Sequence, residues 1–442
     1  MEDKQLLNRL DTEPVGKSFM RYLIPSTVGM MLMAINIVID GIMVGNRLGP
    51  VALGGVGIAV PVYTIFVAMS LWIGVGAATR YSAEMGAKRP DKARVIFSHA
   101  MVTIFILTII IGLFAFLFRT KLAYLLGANA DTFPYVADYM NVMLLFGFVF
   151  TIENAFSILV RNDGGPNLSM IALVATSLVN IGLNYIFLFV LDYGVAGAAA
   201  ATVIGAFVGI IILSSHFFTK KSNLRFVRFK FDRKLFLLVL IIGFPSFLAE
   251  VGFSVFTISH NNIFERLAGT AGVSAFTILN YVHSVMLLLF LGMGAAIQPL
   301  ISYYHGAKNE EKMQKTLRMA IWTSVGAGIL FFLIGLFASA PIVGLFGDFP
   351  EEVMALAIPG IKLFFIAYLF MGMNFVMMTY YQSIGQIRMA TWITASREIV
   401  ILLILLAILP KLFGLTGVWL AIPTSEFIVL ITIYYYHRKW NN

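Results

Sequence analysis

The stretch Gly86-Ala87-Lys88, followed by Lys92, returns unchanged as Gly306-Ala307-Lys308, followed by Lys312. The shift is 220 residues. The same shift pairs Pro25-Ser26 with Pro245-Ser246, Gly74 with Gly294, Gly127 with Gly347, Asn154 with Asn374, Gly165 with Gly385, Gly194 with Gly414 and Gly197 with Gly417. Chance identities would scatter over many offsets, so the chain reads as a duplicated unit.

Each copy is strongly apolar. Of 442 residues, 60% are hydrophobic and only 12% charged, with a mean hydropathy of +0.89. A soluble domain holds about 45–50% apolar and roughly 25% charged residues, so the solvent for most of this surface is lipid. A spanning helix needs about 20 apolar residues because its backbone polar groups must be satisfied within the segment. Twelve segments meet that need, near 20–45, 51–80, 95–118, 133–160, 167–191, 195–218, 235–263, 272–302, 316–340, 353–382, 387–410 and 415–436. The predicted fold is all-α: two pseudo-symmetric six-helix bundles around a central cleft. Residues 1–218 form the first lobe, 219–234 a basic linker and 235–442 the second lobe. Six helices return the chain to its starting side, so the copies share an orientation, an arrangement suited to alternating access.

Charge sets that orientation. With a cytoplasmic N-terminus, 23 lysines and arginines fall on the inner face, from Lys4 through the seven between Lys220 and Lys234. The outer face holds five: Arg47, Arg119, Lys121, Arg266 and Lys411. The bias places both termini inside the cell, in a multi-pass protein of the cell membrane. It also accounts for the net charge of +9 without a nucleic-acid partner. The first eighteen residues, with Glu2, Asp3, Asp11 and Glu13, lack the basic start of a signal peptide, so the first helix is expected to remain in the mature protein.

Enzyme chemistry finds no motif. Cysteine is absent, which removes disulfides, thiolate sites and cysteine nucleophiles. Gly16-Lys17-Ser18 resembles the end of a phosphate-binding loop, but Asp11 stands where that loop needs its first glycine. No enzyme activity and no resident cofactor are expected, and no pore-lining signature of a channel is evident. Asn167-Leu168-Ser169 is a formal glycosylation sequon, set aside because it starts a helix at the cytoplasmic face.

Ionisable residues within a bilayer suggest function by default. On the first helix Gly29, Met33, Asn36 and Asp40 follow steps of four, three and four, and so share one stripe. Asp40 lies about 27 Å along from Tyr22, in the outer half of the bilayer. Pro25 and Gly29 give this helix the means to bend. A carboxylate held away from water exchanges a proton for a cation or a cationic ligand, or it only accepts interhelical hydrogen bonds. Ser177, Asn180 and Asn184 form a stripe on the fifth helix, and Ala198, Thr202, Gly205 and Gly209 a small-residue face on the sixth. Such polar stripes are commonly interhelical glue, yet they share the lobe with Asp40, and oxygen donors suit a proton or sodium. Glu153 is particular to the first lobe, whereas its neighbour Asn154 recurs as Asn374 and reads as architectural. Glu250 is placed to face the second-lobe cavity or the cleft. Glu398 is expected to pair locally with Arg397, Glu426 has no visible partner, and His260, the repeat equivalent of Asp40, reads as an interfacial histidine or, alternatively, a second protonatable group. Phe and Met beyond those that face lipid or pack helices are suited to walls that adapt to flat apolar cations.

These residues resemble the multidrug and toxic compound extrusion transporters, of the branch with DinF-like and MepA-like proteins. The likeness covers nearly the whole chain. It is carried by Ile39-Asp40-Gly41-Ile42-Met43-Val44-Gly45 with Leu48-Gly49, by Met85-Gly86-Ala87-Lys88 and by Gly194-Val195-Ala196-Gly197-Ala198-Ala199. It implies export of organic cations driven by inward protons or sodium, with Asp40 as the coupling carboxylate beside Asn180 and Thr202; Asn184 is added as a coupling residue from its place on the fifth-helix stripe. Sodium, if used, would sit at Asp40, Asn180 and Thr202. From the stripes and intramembrane acids read above, the substrate is expected to meet Met33, Asn36, Asp40, Glu153, Asn154, Ser177 and Glu250. Two departures favour protons. Asn184 stands where relatives often have a second acid, and the acidic pair on the seventh and tenth helices of the sodium-coupled branch is missing. Other readings are a lipid-linked precursor or polysaccharide flippase, which calls for several cleft arginines where only Arg397 is clear, and a non-transporting receptor or scaffold, which leaves the duplication unexplained. A monomer is expected.

Overall fold

A computed structural model describes residues 8–219, 222–347 and 349–441. Glu2, Asp3, Lys4, Lys220 and Lys221, used in the reading above, lie outside these. The described residues contain helices and connecting segments and no strand. The spanning helices are α1 Val15–Gly49, α2 Val51–Gly86, α3 Pro90–Leu117, α4 Phe133–Asn162, α5 Pro166–Val190 and α6 Gly194–Phe218, then α7 over 233–268 and α8 over 270–306. They continue with α9 Glu310–Gly344, α10 Glu351–Ser383, α11 Ile387–Phe413 and α12 Leu415–Arg438.

The helices start where the sequence supplies the means. Proline stands in the first turn of α3, α4 and α5, where its missing N–H is not needed. The Asp232 carboxylate caps α7, accepting from the N–H groups of Lys234 at 2.8 Å and Leu235 at 3.2 Å. The junctions of α1 with α2 and of α7 with α8 are single residues, Gly49 at φ 83° and Gly269 at φ 55°, inside otherwise continuous helical runs. Both sit at left-handed φ, which glycine adopts without a Cβ penalty. They are a further pair at the 220-residue shift.

Two compact units result: Met1–Phe247 with Ser302–Asn309, and Leu248–Ile301 with Glu310–Asn442. In the first, residues 302–309 belong because α2 and the end of α8 meet backbone to backbone. A Cβ on Gly86 would strike the Tyr303 carbonyl, and one on Gly306 would strike the Ala83 carbonyl. The start of α7 is bound similarly, with Gly243 against the Trp72 carbonyl, while the Trp72 indole donates to Leu240 O at 2.8 Å. Phe66, Val136, Met140, Met143 and Leu144 fill the interior between α2 and α4. The small-residue face of α6 receives α5: a Cβ on Gly205 would lie 2.8 Å from Thr176 O and 3.3 Å from the Asn180 Cβ. In the second unit, Gly372 admits the Phe290 ring of α8 against α10, and Gly360 admits Trp419 of α12.

Candidate functional site

In the first unit α1, α5 and α6 converge on Asp40. Asn184 Nδ2 donates to Asp40 Oδ1 at 2.6 Å, and Asn36 Nδ2 approaches Oδ2 at 3.5 Å from one turn below. The Asn180 amide satisfies its surroundings with its nitrogen toward Asp40, donating at 2.8 and 3.1 Å to the two carboxylate oxygens and at 3.0 Å to Asn36 Oδ1. Its oxygen then accepts from Thr202 N and Oγ1, both at 3.1 Å. Thr202 is thus one step removed, orienting Asn180. Among the described residues no ion pair reaches Asp40. Tyr139, on α4, lies within electrostatic range of the carboxylate. Sequence spacing gave no sign of it, since α4 shows no polar stripe leading to it.

The remaining predicted positions distribute around this cluster. Met33 packs with Tyr63 against Phe150, Val67 and Ala206, an apolar wall below Asn36. Glu153 is buried on α4 and accepts from Thr176 Oγ1 at 3.4 Å, in space that Gly209 leaves open. Ser177 is buried on α5, facing neither carboxylate with a hydrogen bond in the described set, and Asn154 is partly buried. Pro25 and Gly29 lie within unbroken helical φ/ψ, and a Cβ on Gly29 would lie 3.1 Å from Leu173 Cδ1 of α5.

The second unit has its own buried charges. Arg397 Nη2 lies 2.9 Å from Glu398 Oε1, and Arg397 Nε lies 3.2 Å from Glu426 Oε1. The guanidinium also rests over the Phe375 ring at 3.8 Å. Asn374 Nδ2 donates to Glu426 Oε2 at 2.6 Å and to Glu426 O at 2.9 Å. Glu426 therefore has the partners that its sequence position concealed, and Arg397 joins two acids rather than one. A cavity of about 20 Å³ beside Arg397, Glu398, Glu426 and His283 has room for one water. His260 is buried, not interfacial: its Nδ1 lies 2.9 Å from Phe256 O and its ring stacks on Phe276 at 5.2 Å. Glu250 is partly buried on α7.

A duplicated, all-helical, multi-pass membrane protein with a carboxylate cluster inside its first bundle is the class these features define. The MatE family profile matches twice, over residues 25–186 and 245–409. The chain belongs to the MatE family. It is 28% identical over 435 residues to the multidrug export protein MepA of Staphylococcus aureus strain MRSA252, covering 96% of this chain and 94% of that one. It is 26% identical over 443 residues to MepA of Staphylococcus haemolyticus strain JCSC1435, covering 98% and 96%. Among solved structures, a MOP superfamily transporter from Pyrococcus furiosus superposes with a TM-score of 0.92 at 23% identity, over 98% of this chain and 97% of that one. An outward-facing multidrug resistance MATE transporter superposes at 0.91 and 24%, over 98% and 97%. The twelve-helix fold is common to them.

Proposed function

We propose that this chain exports lipophilic organic cations from the cell in exchange for inward-moving protons, by alternating access. Membership of the MatE family and the multidrug-export relatives support the efflux reading. The observation that carries the coupling is Asp40: a carboxylate inside the bundle, faced by the amide nitrogens of Asn184, Asn180 and Asn36 and by no cationic side chain among the described residues. An acid so placed changes the charge of its surroundings whenever it gains or loses a proton, because no neighbour compensates it. Sodium needs a shell of oxygens, whereas the groups turned toward Asp40 are hydrogen-bond donors. That favours protons. In this reading Asp40 is the coupling group and Asn180, Asn184 and Thr202 position it. Met33 and Asn36 continue the same stripe toward the substrate path, with Ser177 and the acids Glu153 and Glu250 as further cation contacts. Pro25 and Gly29 are where α1 would bend as Asp40 changes state. The basic segments, including the linker, then face the cytoplasm in a cell-membrane monomer.

The test is reconstitution in vesicles, with a proton or a sodium gradient imposed separately and a fluorescent lipophilic cation followed in wild type and Asp40→Asn. Proton-driven accumulation in wild type and its loss in the variant are expected. Equal transport without either gradient would overturn antiport, and sodium dependence without a pH response would reverse the choice of ion.

A further inference from the structure

From residue 222 onward the basic linker is a fixed strap, not a loose tether. Residues 222–232 have no regular secondary structure, yet Ser222, Asn223 and Leu224 are buried. Asp163, at the end of α4, is the anchor. Its Oδ2 accepts from the N–H of Asn223 at 2.8 Å and of Leu224 at 3.3 Å and meets His216 Nε2 at 2.9 Å, while Oδ1 accepts from Tyr81 OH at 2.7 Å. Further along, Val227 N donates to Ser98 Oγ on α3 at 2.9 Å. The Phe226 ring meets Phe97 at 4.9 Å, and His99 stacks on Phe231 at 5.1 Å. Asp232 ends the strap by capping α7.

Pinning the backbone leaves a set of side chains pointing out. Arg225, Arg228, Lys230, Arg233 and Lys234 are all exposed, and none enters an ion pair among the described residues. Phe226 and Phe231 are 60% and 63% exposed, and Phe218, just before the strap, 88%. Five cations and three aromatic rings, Phe226 and Phe231 packed on one face and open on the other, thus lie at the ends of α3, α6 and α7, on backbone whose ordering cost is already met within the fold. Clusters of four to eight basic residues beside a spanning helix attract anionic lipid headgroups. Rings at the same level enter the interface, and long basic side chains reach along it to the phosphates.

We infer that residues 225–234 form a binding surface for the headgroups of anionic phospholipids. The inference rests on the membrane-spanning reading and not on drug transport. It is tested on the full chain in detergent micelles doped with phosphatidylglycerol or phosphatidylcholine, counting retained lipids by native mass spectrometry. Wild type is expected to retain phosphatidylglycerol in preference to phosphatidylcholine. The triple variant Arg225→Gln, Arg228→Gln, Lys230→Gln should lose affinity for phosphatidylglycerol by about tenfold or more, with phosphatidylcholine retention unchanged. Asp163→Asn keeps every strap cation but loosens the anchor, and is expected to lose part of the preference. If the triple variant is too unstable to purify, Asp163→Asn and the weakening of wild-type retention by salt decide the matter. Equal retention of the two lipids by wild type would overturn the proposal. Complete displacement by millimolar glycerol phosphate would also overturn it, assigning the surface to soluble phosphate anions. Because the chain has no cysteine, Lys234→Cys labelled in intact cells reports separately which side the strap faces. Failure of the orientation and failure of lipid binding are thereby distinguished.

Discussion

The two units bury acids in opposite ways. In the first, Asp40 is surrounded by the neutral amides of Asn36, Asn180 and Asn184. In the second, Glu398 and Glu426 share one guanidinium, with Asn374 completing Glu426 and Phe375 covering Arg397. An acid balanced by neutral donors takes up or releases a proton at the cost of its own solvation alone. An acid tied to arginine must break an ion pair to do so, and a broken buried pair leaves an uncompensated charge. On the proposed function, the contrast matches exchange in the first unit and cohesion in the second. It breaks if the second cluster proves dispensable to folding, or the first dispensable to coupling.

The largest effect expected is therefore on stability, at Arg397. Arg397→Met strands two buried carboxylates and should destabilise the protein by about 3–5 kcal/mol, read as a lowered unfolding temperature in detergent. Adding Glu398→Gln and Glu426→Gln to the same chain should recover most of that loss, because a neutral cluster has no charge to leave unpaired. A single variant as stable as wild type would remove the cohesive role. Next comes Asp40→Asn, which preserves shape and one hydrogen-bonding oxygen. Its unfolding temperature should stay near that of wild type while gradient-driven accumulation is lost. A smaller change is expected at Gly252, where an added Cβ would strike the Glu398 carboxylate. Gly252→Ala should cost about 1–3 kcal/mol by overpacking, with transport per folded molecule retained.

The contrast was half legible in the sequence. The 220-residue shift and the apolar runs placed the helices, and steps of three and four put Asn36 with Asp40, and Asn180 with Asn184, each pair on one face of its own helix; that the two faces meet came from the family resemblance and not from spacing. The second cluster defeated the same rule for two reasons. Residues 396–400 form a π-helical turn, Ser396–Val400, which inserts an extra residue into the turn and shifts the face on which Arg397 and Glu398 emerge. Asn374, Arg397 and Glu426 also come from three different helices, and no local period relates them. Equivalence to Asp40 gives the height of His260 and not its side: it turns into the aromatic interior around Phe256 and Phe276. Charge alone marks this segment as a linker, and only the fold reveals that Asp163 holds its backbone at Asn223 and Leu224.

The finest distinction within the first cluster concerns one atom. Asn184 and Asp40 meet at 2.6 Å, nitrogen to oxygen, and the amide is what allows a lone carboxylate to be ionised at that separation. Asn184→Asp replaces the donor with a second acid. Two carboxylates so close cannot both carry charge without a shared proton or an intervening cation, and oxygens then face each other where donors faced oxygen before. The variant should keep its response to a proton gradient and acquire a sodium response of about twofold to fivefold in export rate, since a pair of acids supplies the charge that a single one lacks. Export by Asn184→Asp indifferent to sodium would mean that the coupling ion is selected elsewhere than at the partner of Asp40.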